Sequence, residues 1–447
     1  MAQRESWATR TGFILAAVGS AVGLGNVWRF PYQVGEYGGA AFLVFYLLLI
    51  AFVGFPVMMV EFAIGRYTDR NPVGAMKQIG SGVWSKIGWV FLVAGFVILS
   101  YYSVVAGWIL QYTVIGLQGN YAAGGAGAQF AATTGGLTSV LTHAIFMAAV
   151  IGIVAFGIQD GIEFSVKLMV PAILALLVGL AVYAGTLSGA GEAYAYYLSP
   201  DLGTMAANWT EILPAAAAQA FFTLSLGMGV MITYASYLGE DRNLAKDGVI
   251  IVGLDTLIAF TAGLVAFPIL FTADLTETTD GPGFIFVSLS EAFSNIPLGG
   301  VLGAIFFATV SIAALSSAIS IMEVVTSYLI DEYGVDRKVA VGALGTAIFL
   351  LGVPVAYDQS ASLVWLVVYD GIANQILLIL GGLLLAIFVG WFATDLGLEE
   401  LDKGVRDLGA WGQAWIWILR VPVIVLLLVV LWQNATGVYE SFVGIFG

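Results

Sequence analysis

The chain has 447 residues, of which 60% are hydrophobic and only 10% charged, with no cysteine, one histidine and a formal net charge of −14. A mean hydropathy of +0.96 places it among membrane proteins. Disulfides, thiolate nucleophiles, Fe–S clusters and His-based metal triads are excluded, and the acidity argues against nucleic acid, whose phosphates need a basic patch.

A spanning helix needs roughly 20 apolar residues. By that measure the sequence predicts eleven spans, over 11-37, 40-65, 87-118, 138-157, 164-187, 210-238, 247-272, 299-330, 339-356, 361-392 and 413-432. Residues 1-10 run polar straight into the first, with no short apolar segment ending in a small-residue cleavage site, so no cleaved signal is expected.

Span 1 is interrupted in its middle by Gly19-Ser20-Ala21-Val22-Gly23-Leu24-Gly25-Asn26, followed by Trp28-Arg29-Phe30-Pro31. Each glycine costs about 1 kcal/mol in a helix interior, so glycines with an Asn and an Arg at bilayer depth need a compensating reason. An unwound stretch offers carbonyls to a cation and N–H groups to an anion, provided it faces protein or water. The single histidine, His143, falls near the start of span 4 and reads as a satisfied or interfacial side chain. No His-Glu-x-x-His zinc motif is present, and no enzyme is expected.

A second interruption, Phe221-Phe222-Thr223-Leu224-Ser225-Leu226-Gly227-Met228-Gly229, lies in the middle of span 6. Spans 1 and 6 head two five-span halves, and with five spans per half the second inserts upside down relative to the first. Paired broken helices in an inverted repeat point to a midplane substrate and ion site. With the N-terminus cytoplasmic, every Lys and Arg except Arg29 falls on the inner side, which satisfies the positive-inside rule and leaves the C-terminus outside. Much of the acid lies in expected outer loops such as 274-280. It reads as a cation-concentrating field or as an adaptation to high salt, as in a halophilic prokaryote.

The opening Arg4-Glu5-Ser6-Trp7-Ala8-Thr9-Arg10, the run Ala21-Val22-Gly23-Leu24-Gly25-Asn26 with Arg29-Phe30-Pro31, and the stretch from Gln219 to Gly227 resemble the neurotransmitter:sodium symporter family. The likeness recurs in order over residues 4 to 395. It implies an all-α polytopic fold with a 5+5 inverted repeat, discontinuous helices 1 and 6, and about eleven membrane helices. The core would be 1-395, with repeats 1-190 and 205-395, and 396-447 would add the eleventh helix and a tail.

The resemblance also implies a site. An amino-acid carboxylate would meet the N–H groups of Leu24 and Gly25 and the phenol of Tyr102. The ammonium would meet carbonyls of Ala21, Phe222 and Thr223 and the Ser225 hydroxyl. The side chain would lie among Ile98, Phe222, Ser225, Met228, Ser317 and Ile321. A first sodium would use Ala21, Asn26, Thr223 and Asp255 with one substrate carboxylate oxygen, which couples ion to substrate. A second would use Gly19, Val22, Ala313, Ser316 and Ser317. Chloride-dependent members have Asn where this chain has Asp255 and Ser where it has Ala259, so a fixed carboxylate replaces the diffusible anion and no chloride requirement is expected. Tyr46 and Gln219 persist from the anion-site neighbourhood, while Phe45 stands where many relatives have Pro.

Arg29 and Asp370 resemble an outer charged gate with Phe222 as its lid, and Arg4, Trp7, Tyr237 and Asp331 an inner latch. The expected function is sodium-coupled, chloride-independent import of a neutral, hydrophobic amino acid, aliphatic or aromatic, across the cell membrane. Its partners are substrate, sodium and bilayer, with no obligate protein partner evident. Two rivals stay open. A proton-coupled exchanger of the same fold would lack the second sodium site, and a binding-only sensor would lack the inner latch.

Overall fold

The computed structural model describes residues 5–122, 124–240, 242–275, 279, 281–360, 363–405 and 408–446, and among them every regular element is helical. Span 1 is the pair Arg10–Ala21 and Gly25–Glu36, bent by 50° at the break between them. Spans 2 to 5 are Ala40–Thr68, Trp84–Leu117, Gly136–Ala155 and Ile158–Ala184. Span 6 is split into Leu202–Thr223 and Val230–Ala235. Spans 7 to 11 are Leu244–Thr272, Gly299–Tyr333, Arg337–Tyr357, Val364–Phe392 and Gly409–Phe446.

Among the described residues, nine helices are long and apolar enough to cross a membrane, and the bent pair makes ten. Span 6, the eleventh, is not in that set. Its first half begins eight residues before the expected 210, where Asp201 caps it by accepting from Gly203 N at 2.9 Å, and its opening turns carry Asn208, Thr210 and Glu211. Hydropathy hides this span's start because the helix rises out of the apolar zone on a side-chain cap.

The repeat is visible in the packing. Spans 2 and 7, 3 and 8, and 4 and 9 each pack against one another, and the first half of span 1 packs against the second half of span 6. Every such pair joins equivalent helices of the two halves. Spans 3 and 8 make the most extensive helix–helix contact, and both broken helices lie against span 8.

The breaks have local causes. After Ala21 the backbone at Val22 turns extended (φ −78°, ψ 101°), which stops the helix. At Gly23 a Cβ would lie 2.7 Å from the Tyr102 hydroxyl, so only glycine lets span 3 approach this closely. In span 6 the chain passes through positive φ at Ser225 (53°), Gly227 (81°) and Gly229 (75°). A helix cannot continue through those angles.

Candidate functional site

Where the two breaks meet span 3 and span 8 lies a small cavity of about 20 Å³. Its lining includes Ala21, Leu24, Gly25, Ile98 and Tyr102 from spans 1 and 3, and Phe222, Ser225, Met228, Ser317 and Ile321 from spans 6 and 8. Every residue expected around a substrate except Thr223 is there, and Gly23 is an addition. The volume is about that of a single water. Anything the size of an amino acid therefore needs these walls to part, and flexible Met228 is the side chain best able to move.

At the upper wall Leu24 N–H donates to the Tyr102 hydroxyl at 3.3 Å, leaving the phenol proton directed elsewhere. An N–H group at a helix start beside a phenol is an anion-binding arrangement. At the floor Ser225 and Ser317 both donate to the Ser20 carbonyl at 3.0 Å, and the Ser20 and Ser320 hydroxyls are 2.7 Å apart. Sequence reasoning missed Ser20 and Ser320. The signal was spacing: Ser320 follows Ser317 by one helical turn, on the same face.

Beside this cavity, Asn26, Thr223 and Asp255 converge in the interior, each with no exposed surface. The Asn26 amide donates to Asp255 Oδ1 at 2.7 Å and to its carbonyl at 3.2 Å, and the Thr223 hydroxyl lies 3.1 and 3.2 Å from the carboxylate oxygens. Asn26 Oδ1 accepts from Gly23 N at 3.1 Å. Ala21 lines the adjoining cavity. A carboxylate, a hydroxyl and an amide oxygen in a dry setting suit a hard monovalent cation.

A second oxygen cluster joins span 1 to span 8. The Ser316 hydroxyl is 2.9 Å from the Ala313 carbonyl and 3.4 Å from that of Val22. Gly19 abuts the same residue, since a Cβ there would lie 3.3 Å from Ser316 Cβ. Ser317, expected at both places, lines the substrate cavity, and its hydroxyl donates to the Ser20 carbonyl. Among the described residues no three or more His, Cys, Asp or Glu side chains come together as a metal site.

Outside the cavity a vestibule of about 310 Å³ has Arg29, Asp370 and Phe222 in its walls. Arg29 and Asp370 form no ion pair with each other. The Arg29 guanidinium sits over the Phe222 ring at 4.8 Å. The Asp370 carboxylate is held by Tyr101 at 3.0 Å, Asn374 at 3.1 Å and Gln375 at 3.3 Å. Three neutral donors satisfy the acid and an aromatic face holds the cation, so the two charges stay apart across an open vestibule.

At the other end Trp7 donates to the Tyr234 carbonyl at 2.9 Å and meets the rings of Phe13, Tyr234 and Tyr237 edge-on. Tyr237 donates to Glu323 at 2.7 Å, Glu323 pairs with Arg337 at 2.6 Å, and Arg337 reaches Glu5 at 2.9 Å. Asp331 accepts from Asn71 N at 2.9 Å and from its side chain at 3.2 Å. Arg4 lies outside the described residues. Glu5, Glu323 and Arg337 were not singled out from the sequence, although a lone acid inside an apolar span, such as Glu323, is a signal in itself.

Glu61 is another such acid. It is fully buried in span 2 and accepts from Gly227 N at 2.8 Å and Ile232 N at 3.4 Å, filling the break of span 6 with the acceptor that the unwound N–H groups lack. Gln219 ties the two breaks together by donating to the Gly25 carbonyl at 2.9 Å. His143 is buried between spans 4 and 9, stacked on Phe349 with its Nε2 3.1 Å from the Phe349 carbonyl, away from both oxygen clusters.

Comparison with known proteins gives a consistent result. The model of the sodium:neurotransmitter symporter family matches residues 4–134 and 128–443. An uncharacterized sodium-dependent transporter of Methanocaldococcus jannaschii is 35% identical, the match covering 99% of this chain and 92% of that one. The uncharacterized sodium-dependent transporter YhdH of Bacillus subtilis is 31% identical over 97% of this chain and 98% of its own. Among solved structures, MhsT in complex with L-phenylalanine is similar at a TM-score of 0.87 and 41% identity, covering 97% of this chain and 100% of that one.

Proposed function

Because this chain belongs to the sodium:neurotransmitter symporter family, whose members are transporters and not enzymes, we propose that it carries a neutral, hydrophobic amino acid into the cell. It does so with two sodium ions and without chloride. The observation that carries this reading is the convergence of Asn26, Thr223 and Asp255 beside a cavity walled by both broken helices. That cavity is apolar apart from Tyr102 and two small hydroxyls, which suits an aliphatic or aromatic side chain. MhsT, similar over nearly the whole chain, was crystallised with L-phenylalanine.

In this reading the substrate carboxylate is held by the N–H groups of Leu24 and Gly25 with the Tyr102 phenol, and its ammonium by carbonyls of the breaks and by Ser225. Asn26, Thr223 and Asp255 hold the first sodium next to that carboxylate. Ion and substrate then strengthen each other's binding. Val22, Ala313 and Ser316, with Gly19 alongside, hold the second. Asp255 supplies the negative charge that a chloride ion would otherwise bring, and Ala259 offers no hydroxyl to bind one.

Alternating access follows from the two closures. Phe222, under the Arg29 guanidinium, separates vestibule from cavity, while the Trp7 aromatic cluster and the Glu5–Arg337–Glu323–Tyr237 chain shut the opposite end. The intact inner closure disfavours a binding-only sensor, and the Ser316 oxygen cluster disfavours a purely proton-coupled exchanger. The pairs Arg10–Asp247, Arg66–Glu400 and Arg337–Glu323 gather at the end where Trp7 sits, in keeping with a cytoplasmic N-terminus.

The test is uptake of radiolabelled amino acids by the purified protein in liposomes under an inward sodium gradient. Concentrative uptake of leucine-like or aromatic substrates, equal in chloride and in gluconate, is expected. Uptake driven by a proton gradient alone, or no uptake of any neutral amino acid, would overturn the proposal.

A further inference from the structure

Away from the transport site, a groove of about 710 Å³ lies between the first half of span 6 and span 11. We propose that it is a binding site for the acyl chain of one bilayer lipid, held against the half-helix that carries the substrate lid.

Composition supports this first. Trp209, Leu213 and Pro214 form one wall, Val421, Val425 and Val429 the other, and among the described residues the only polar ones in the lining are Thr210 and Gln433. None of the described residues in the lining is charged, which suits an occupant held by apolar contact. Spans 6 and 11 run in opposite directions, which puts Trp209, Thr210 and Gln433 at one end and Pro214 with Val421 at the other. Trp beside polar side chains is the signature of the headgroup level.

Length supports it next. From Val421 to Gln433, at about 1.5 Å per residue, the groove runs roughly 18 Å, close to the ~15 Å half-thickness of a ~30 Å hydrocarbon core. The groove is one leaflet deep. Its shape has a cause, because each wall contains a proline, Pro214 in span 6 and Pro422 in span 11, and proline bends a helix. The groove is also continuous with the lipid-facing surface of span 11, where Trp417, Val421, Val425, Leu428, Val429 and Trp432 are exposed.

The consequence lies at the far end of the same half-helix. Leu202–Thr223 carries Gln219, Phe222 and Thr223 at its inner end, so a chain wedged beside Pro214 bears directly on the element that must tilt when the lid opens.

The test uses the full-length protein in liposomes containing phosphatidylcholine with a diazirine in one acyl chain. Cross-linked peptides are mapped after irradiation. Labelling within 209–214 and 421–433 should exceed that around Leu141 and Ile145, which are exposed along span 4, by about tenfold, equivalent to ~1.4 kcal/mol of preference. Val425→Trp, or Val429→Trp if the first expresses poorly, should abolish that excess and leave the Leu141–Ile145 labelling unchanged. Labelling of the groove no denser than elsewhere would overturn the proposal. So would an excess indifferent to both substitutions.

Discussion

Asn26 in the break of span 1 donates its side-chain amide to Asp255 of span 7 at 2.7 Å, a contact between the two halves of the fold with no access to solvent. Thr223, in the break of span 6, shares the same carboxylate. Both broken helices are thereby tied to one acidic group. Any ion bound there senses the position of both at once.

Asn26→Ala and Thr223→Ala should each weaken sodium and substrate together. A hydrogen bond to a charged group is worth ~1.5–3 kcal/mol, so the affinity loss should be roughly 10- to 100-fold. Substrate binding measured across a sodium titration checks this. A variant that lost sodium dependence yet kept full substrate affinity at saturating sodium would not share a ligand between the two.

Ser316→Ala should abolish concentrative uptake while leaving the substrate cavity nearly intact. Its hydroxyl faces the Val22 and Ala313 carbonyls and does not line the cavity. Ser317→Ala is a different experiment, because Ser317 lines the cavity and bonds the Ser20 carbonyl. It should lower substrate affinity as well. Equal uptake by Ser316→Ala and the unmodified protein would remove Ser316 from the ion cycle.

Glu323→Gln should loosen the inner closure. It takes from Arg337, which is largely buried, its buried carboxylate partner and leaves only the more exposed Glu5, and breaking a buried pair costs up to ~3–5 kcal/mol. The chain has no cysteine, so a single Thr326→Cys placed in the buried inner part of span 8 reports opening by its alkylation rate. That rate should rise about tenfold or more, since ~1.4 kcal/mol already suffices for tenfold. An unchanged rate would make the Glu323–Arg337 pair a mere anchor.

The two breaks were legible in the sequence because repeated glycines with Asn26 and Arg29 at bilayer depth are too unfavourable for an uninterrupted membrane helix. Residues of the breaks and their span 3 and span 8 partners then followed from the family pattern. What stayed hidden were groups whose partners are backbone atoms or distant loops. Glu61 caps N–H groups of span 6 that exist only because the helix unwinds, and Ser20 acts through its carbonyl. Arg29 and Asp370, legible as an outer gate, do share the vestibule, but their partners in it, the Phe222 ring and the Tyr101 phenol, could not be read from opposite charges alone. Span 6 began earlier than its hydropathy because a capping Asp201, which is invisible to any apolar count, sets its start.

Asp255→Asn combined with Ala259→Ser should make transport depend on chloride. Two sodium ions in an interior site need a negative charge beyond that of the substrate carboxylate, and at an effective dielectric of about 20 a unit charge ~4 Å away is worth ~4 kcal/mol. In the proposed reading Asp255, within hydrogen-bonding distance of Asn26 and Thr223, supplies it. Asn at this position keeps the shape and an oxygen ligand but removes the charge. Ser at 259 adds a hydroxyl one helical turn further along the same face of span 7, and Tyr46 and Gln219, which the family resemblance places in the anion neighbourhood, are buried. A chloride ion held by neutral donors is the substitute that balances the site. Asp255→Asn alone should therefore be nearly inactive in any medium, and the added serine should restore uptake in chloride but not in gluconate at fixed sodium. Equal uptake by the double variant in both media, at or near the unmodified rate, would show that Asp255 is not the built-in counter-charge.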